Sequence, residues 1–143
     1  MGIRLMKMER RKTLHKRSGR NGRTPIGIVL HTTDGTFEAA AAWFDTPESG
    51  VSSHYLVGLD GRIAAFVDEG DTAFHCGRAF EPTTALGREE NPSLVTIGIE
   101  FEDAGDPLGV KRPEAQYRAG AALVREISER WGIPLDRDHV VGH

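Results

Sequence analysis

Three residues in this sequence have the chemistry of a hydrolytic site. Two apolar runs end in a histidine, I-V-L-H at His31 and V-V-G-H at His143, and a third run, I-G-I-E, ends in Glu100. Imidazole is the commonest protein ligand for zinc. Two ligands on rigid strand ends, a third from a loop and water in the open position make the hydrolytic form of a zinc site. A carboxylate beside it, here Glu100, could take the proton from that water as it attacks a carbonyl. Spacing alone leaves a second reading open, because a lone histidine at a strand end is more often a satisfied structural residue.

These side chains need elements to hold them. Residues 26–33, I-G-I-V-L-H-T-T, are a short apolar run behind Pro25, followed by a polar turn through Asp34-Gly35. The run reads as a buried strand ending at His31. Residues 94–101, L-V-T-I-G-I-E-F, read as a second buried strand with Glu100 within its end, and residues 138–143 begin like one more. Thr36 suits the cap of a helix over 37–44, with Trp43 and Phe44 expected in the core. Residues 51–57 alternate and run into G-L-D-G, and Asp-Gly between apolar runs predicts a hairpin to a strand over 62–67. Pro113 suits the first turn of a long helix. In that helix Ala115, Ala119, Leu123, Ile127 and Trp131 recur every four residues, and Gly132 and Pro134 end it. The polar stretch 78–92 is of the kind that lines a groove, and 103–112 is a loop. Strands alternating with helices, plus one hairpin, imply an α/β domain with a mixed central β-sheet flanked by helices.

The chain has 143 residues and a net charge of -3, which fits one globular domain and does not suggest a nucleic-acid binder. Its charge is uneven. Residues 1–23 carry Arg4, Lys7, Arg10, Arg11, Lys12, Lys16, Arg17, Arg20 and Arg23 against the single acid Glu9. Residues 1–24 therefore read as a basic N-terminal arm, solvated and partly mobile, able to touch an anionic polymer. Removing residues 1–20 is accordingly expected to leave turnover unchanged. The arm has no apolar core of a secretory signal, and no stretch approaches a membrane span. Cys76 is the only cysteine, which suits a protein made in a reducing cytoplasm.

Taken together and in order, I-V-L-H-T-T, V-S-S-H-Y-L-V-G-L-D-G, A-F-H-C-G, N-P-S-L-V-T-I-G-I-E-F-E and V-V-G-H resemble the zinc-dependent N-acetylmuramoyl-L-alanine amidases. This amidase-2 family includes phage endolysins, bacterial amidases and peptidoglycan recognition proteins. The resemblance covers residues 25–143 and implies a single amidase-2 domain over that range. It implies that His31 and His143 are zinc ligands and that Glu100 is the catalytic glutamate. Some members have a tyrosine just before the histidine of the hairpin strand; Ser53 stands there in this chain, which leaves the base's work to Glu100. The resemblance also places His75, His54 and Thr32 on the substrate side, with an exposed turn histidine as the other reading of His75 and a structural or ligand-supporting role as that of His54.

In the family the third ligand, an Asp or Cys, follows the second histidine by several residues, together with a lysine or other group that stabilises the oxyanion. Both would fall beyond residue 143, so a domain that continues is expected. Cys76, Asp34 and Asp103 are remote substitutes. The implied activity is hydrolysis of the amide between N-acetylmuramic acid and the L-alanine of the stem peptide, with Zn2+ as cofactor and peptidoglycan or muropeptide as partner. The protein is expected to be a monomer. Made without a signal peptide, it would act on the cell wall at phage lysis or on cytoplasmic muropeptides. The alternative is a domain that holds muropeptide without cutting it.

Overall fold

The computed structural model describes residues 8–76, 86–103 and 112–142. Its strands are β1 (Met8–Arg10), β2 (Lys16–Arg17), β3 (Gly27–Thr32), β4 (Tyr55–Val57), β5 (Ile63–Ala65), β6 (Thr72–Ala73), β7 (Thr96–Phe101) and β8 (Val140–Gly142). Among the described residues, two helices, α1 (Phe37–Phe44) and α2 (Glu114–Trp131), and two short 3-10 turns make up the rest of the regular structure. Six strands form one sheet in the order β1-β5-β4-β7-β3-β8, and β2 pairs with β6 apart from it. The β4–β5 hairpin is antiparallel and the other neighbours of the large sheet run parallel. The expected mixed α/β sheet is what forms.

Alternation along the strands sorts side chains to two faces. Ile28, Tyr55, Val57, Ile63, Ile97 and Ile99 pack with Leu123 and Ile127 of α2. On the other face Leu56 and Ala64 pack with Phe37, Ala41 and Phe44 of α1, and Val29 packs with Cys76, Leu86 and Val95. His31 and Glu100 follow the parity of Val29, so the chemistry sits on the face away from α2. Thr36 caps α1 by accepting from Ala39 N at 3.1 Å. Gly132 ends α2 in the left-handed conformation, φ 67°, where a side chain would be strained.

Three expectations need correction. The first is the arm. From Met8 onward it is part of the fold: β1 is the edge strand beside β5, and β2 pairs with β6. Arg20 is 3% exposed, its guanidinium donating to the carbonyls of Glu69 (2.8 Å), Leu94 (2.9 Å), Thr96 (3.1 Å) and Ser93 (3.3 Å). Charge density suggested solvent, but an arginine with several carbonyl acceptors can be buried. Secondly, Trp43 is 51% exposed, because α1 turns only Phe37, Ala41 and Phe44 inward. Thirdly, the hairpin strand starts at Tyr55. The preceding Ser52 hydroxyl donates to the His15 carbonyl and accepts from Phe74 N, and Ser53 donates to the Tyr55 carbonyl. Much of the expected groove, residues 78–85, and most of the loop, residues 104–111, lie outside the described residues.

Candidate active site

His31 and Glu100 are cross-strand partners in the parallel β3–β7 ladder, which fixes both backbones near the C-terminal ends of their strands. His31 is 8% exposed and Glu100 half-buried. The Nδ1 of His31 lies 3.8 Å from Glu100 Oε2. Burial pushes the Glu100 carboxyl up to about 7, and the nearby carboxylates of Asp34 and Asp103 push it the same way. A carboxyl tuned to that range can both accept and return a proton near neutral pH. Glu102, two residues on, does something different. Its carboxylate accepts from Phe37 N and Leu59 N, both at 2.9 Å, tying the start of α1 to the hairpin turn.

His75 stands behind His31. Its Nδ1 is 3.0 Å from His31 Nε2 and its Nε2 is 3.0 Å from the Thr96 hydroxyl. Its ring lies over Gly98, where an added Cβ would meet the ring at 2.5 Å. Burial, then His54 and His31, hold it well below the usual imidazole range. The ring is part-buried and both of its nitrogens are engaged by protein groups, so the described contacts of His75 are structural ones.

His54 is fully buried. Its Nδ1 accepts from Gly98 N at 3.1 Å, so the proton is on Nε2, which donates to the Asp71 carbonyl at 3.0 Å. Burial, and then the Arg20 guanidinium 3.1 Å from Nε2, push this imidazole down to about 4. The substrate-side reading of His54 gives way to the structural one. Thr32 also needs correction. It shares the parity of Ile28 and Leu30, on the α2 side, and borders a cavity of about 550 Å³ that His31 also lines, with Phe101, Gln116, Tyr117 and Val124. Its side chain is therefore on the opposite face from His31 and Glu100.

Cys76 is 1% exposed, 3.4 Å from Ser93 Oγ, and burial pushes its thiol up. A thiol buried in this way is unreactive. His143 lies outside the described residues. The strand leading to it, β8, pairs with β3 as far as Gly142 opposite Leu30. Among the described residues no three His, Cys, Asp or Glu side chains come together to hold a metal ion. The described part of the site does suit one, however: a buried imidazole whose Nδ1 edge faces a carboxylate. Sequence reasoning missed Arg20, Thr96 and Glu102. Only Gly98 left a signal, as a glycine between the β-branched Ile97 and Ile99 of a strand, which marks a close approach.

The mixed sheet thus brings a histidine and a glutamate together at the ends of adjacent parallel strands. The family model described as N-acetylmuramoyl-L-alanine amidase matches residues 21–143, and the chain belongs to that family. The N-acetylmuramoyl-L-alanine amidase A of Achromobacter lyticus is 30% identical over 107 residues, which are 74% of this chain and 52% of that protein. The chain thus spans about half the length of this curated relative. Among solved structures, the AmpD selenomethionine derivative matches with a TM-score of 0.77 at 22% identity, over 97% of this chain and 82% of that one. The amidase AmiD from E. coli, in complex with the substrate anhydro-N-acetylmuramic acid-L-Ala-D-gamma-Glu-L-Lys, matches with a TM-score of 0.68 at 28% identity. That match covers 83% of this chain and 48% of AmiD. Members of the family are generally zinc-dependent.

Proposed function

We propose that this chain is a zinc-dependent peptidoglycan amidase. Its substrate would be the amide between the lactyl group of N-acetylmuramic acid and the L-alanine of the stem peptide. The observation that carries the reading is the His31–Glu100 pair, 3.8 Å apart at adjacent strand ends, with the carboxyl raised to about 7. Family membership supports the bond, and the substrate in the AmiD complex supports its chemical class.

His31 and His143 would hold the metal. Zinc bound there would supply Lewis-acid activation of water and of the amide carbonyl. Glu100 takes a proton from the attacking water and delivers it to the nitrogen of the breaking C–N bond, so that the L-alanine amine leaves neutral. The ladder that pairs residue 31 with residue 100 keeps the two side chains at fixed spacing through this exchange. The rigid α1 edge, clamped by Glu102, holds the turn after β3 in place.

The test is elemental analysis of the full-length protein beside its His31→Ala variant. Zinc near one per chain is expected in the first and little in the second. A variant that keeps stoichiometric zinc would remove His31 from the site, and a wild type that takes none would favour a muropeptide-binding role without hydrolysis.

A further inference from the structure

The hydrogen bonds behind His31 have a polarity that follows atom by atom. The Thr96 hydroxyl lies 2.8 Å from the Pro92 carbonyl, which can only accept, so its one hydrogen goes there. Towards His75 Nε2, 3.0 Å away, the same oxygen must then accept. A neutral imidazole that donates from Nε2 accepts at Nδ1, and the group 3.0 Å from that Nδ1 is His31 Nε2. His31 must therefore donate from Nε2 and carry its lone pair on Nδ1, the edge 3.8 Å from Glu100.

We propose that His75 is a positioning residue: its Nδ1 fixes the ring plane and tautomer of His31, so that His31 offers Nδ1 as the donor atom to zinc on the Glu100 side. Metal-binding histidines commonly donate their other N–H to a carboxylate, carbonyl or water, which orients the ring and sets the tautomer. Here an imidazole fills that place, itself fixed by a threonine. The two rings meet edge to face, centroids 5.3 Å apart at 87°. On its other side His75 meets His54 at 5.9 Å. Gly98 leaves room for the ring because any Cβ would stand 2.5 Å from it. Each contact removes an alternative orientation.

The use of this relay rests on the zinc reading given above, but the relay itself can be read without metal. The experiment records long-range 1H–15N correlations of the histidine rings in metal-free protein, together with zinc affinity by competition with a chelator. Wild type, His75→Ala and His75→Asn are compared. An asparagine carbonyl falls close to the Nδ1 position of the lost ring and can still accept from His31. In wild type, His31 should show the Nε2–H tautomer alone. In His75→Ala the tautomers should mix and zinc affinity should fall about tenfold to a hundredfold, and His75→Asn should restore both. A His75→Ala protein with the wild-type pattern and affinity overturns the proposal. So does a loss that His75→Asn fails to restore, which would make the role steric only. If His75→Ala does not fold, Thr96→Val removes the acceptor that polarises His75 and should also mix the His31 tautomers; an unchanged pattern overturns the relay. A wild type that binds no zinc would refute the metal reading while the ring spectra still decide the relay.

Discussion

Lowering the pH from neutral towards 4 should weaken this fold through one buried ring. His54 has no exposed surface, and its Nδ1 already accepts from Gly98 N, so a second proton would displace that bond. The Arg20 guanidinium 3.1 Å from Nε2 opposes a positive charge there, while Glu69 and Asp71 offset it in part. The folded value of about 4 lies below the ordinary 6.5 of the unfolded chain. In that window the unfolded chain binds a proton that the folded chain refuses. The stability is complete above 6.5 and is lost as pH falls towards 4. Each pH unit between those two values is worth about 1.4 kcal/mol, so the full loss is roughly 3 kcal/mol. The assay is urea unfolding of wild type and His54→Asn at intervals from pH 7 to 4.5. The variant starts less stable, because the Asp71 carbonyl loses its donor, but its curve should be flatter. Wild type should lose roughly 2–3 kcal/mol more than the variant across the range. His54 is one of the groups that hold His75 low, so the difference between the two curves reports His54 together with its effect on His75. Parallel curves would refute the reasoning.

The clamp at Arg20 reverses the expectation for the N-terminal segment. Arg20→Met leaves the carbonyls of Glu69, Leu94 and Thr96 without their buried donor and should cost about 3 kcal/mol, seen as a fall of about 10 °C in the thermal midpoint. Removing residues 1–20 should do at least as much damage. The Glu69 carboxylate accepts from Arg130 at 2.7 and 2.8 Å, from Trp131 Nε1 at 2.7 Å and from the Tyr55 hydroxyl. Burial alone would raise this carboxyl, but these partners hold it below the ordinary carboxylate range. Glu69→Gln should therefore cost about 2 kcal/mol at neutral pH by chemical denaturation, and the difference from wild type should shrink as pH falls through the folded value.

Most of the frame was legible because it rests on local signals. The cap at Thr36, the Asp-Gly hairpin and the glycine stop at Gly132 each act within a few residues, and each stands where the sequence places it. The apolar runs ending at His31 and Glu100 likewise form adjacent strands. What escaped was long-range. Whether Arg20 faces water or four carbonyls depends on segments 49 to 76 positions away. Which face Thr32 takes follows from strand parity, and the expectation placed it with its neighbour His31 instead. His75 and His54 were legible as histidines of the region, but their roles depend on which ring nitrogen meets which partner across the sheet. Trp43 failed for a plainer reason: the 8-residue α1 has room for one narrow buried stripe, and Phe44 is in it.

The central claim is a hydrolysis in which Glu100 moves the proton. The most direct measurement is mass spectrometry of the products from a purified muropeptide treated with wild type or Glu100→Gln, with zinc content and unfolding midpoint measured beside it. Wild type should release N-acetylmuramic acid and a stem peptide with a free L-alanine amine. The variant should lose about a hundredfold or more in rate, with zinc and fold retained. Cleavage at any other bond, or a Glu100→Gln enzyme within a few-fold of wild type, would contradict the claim.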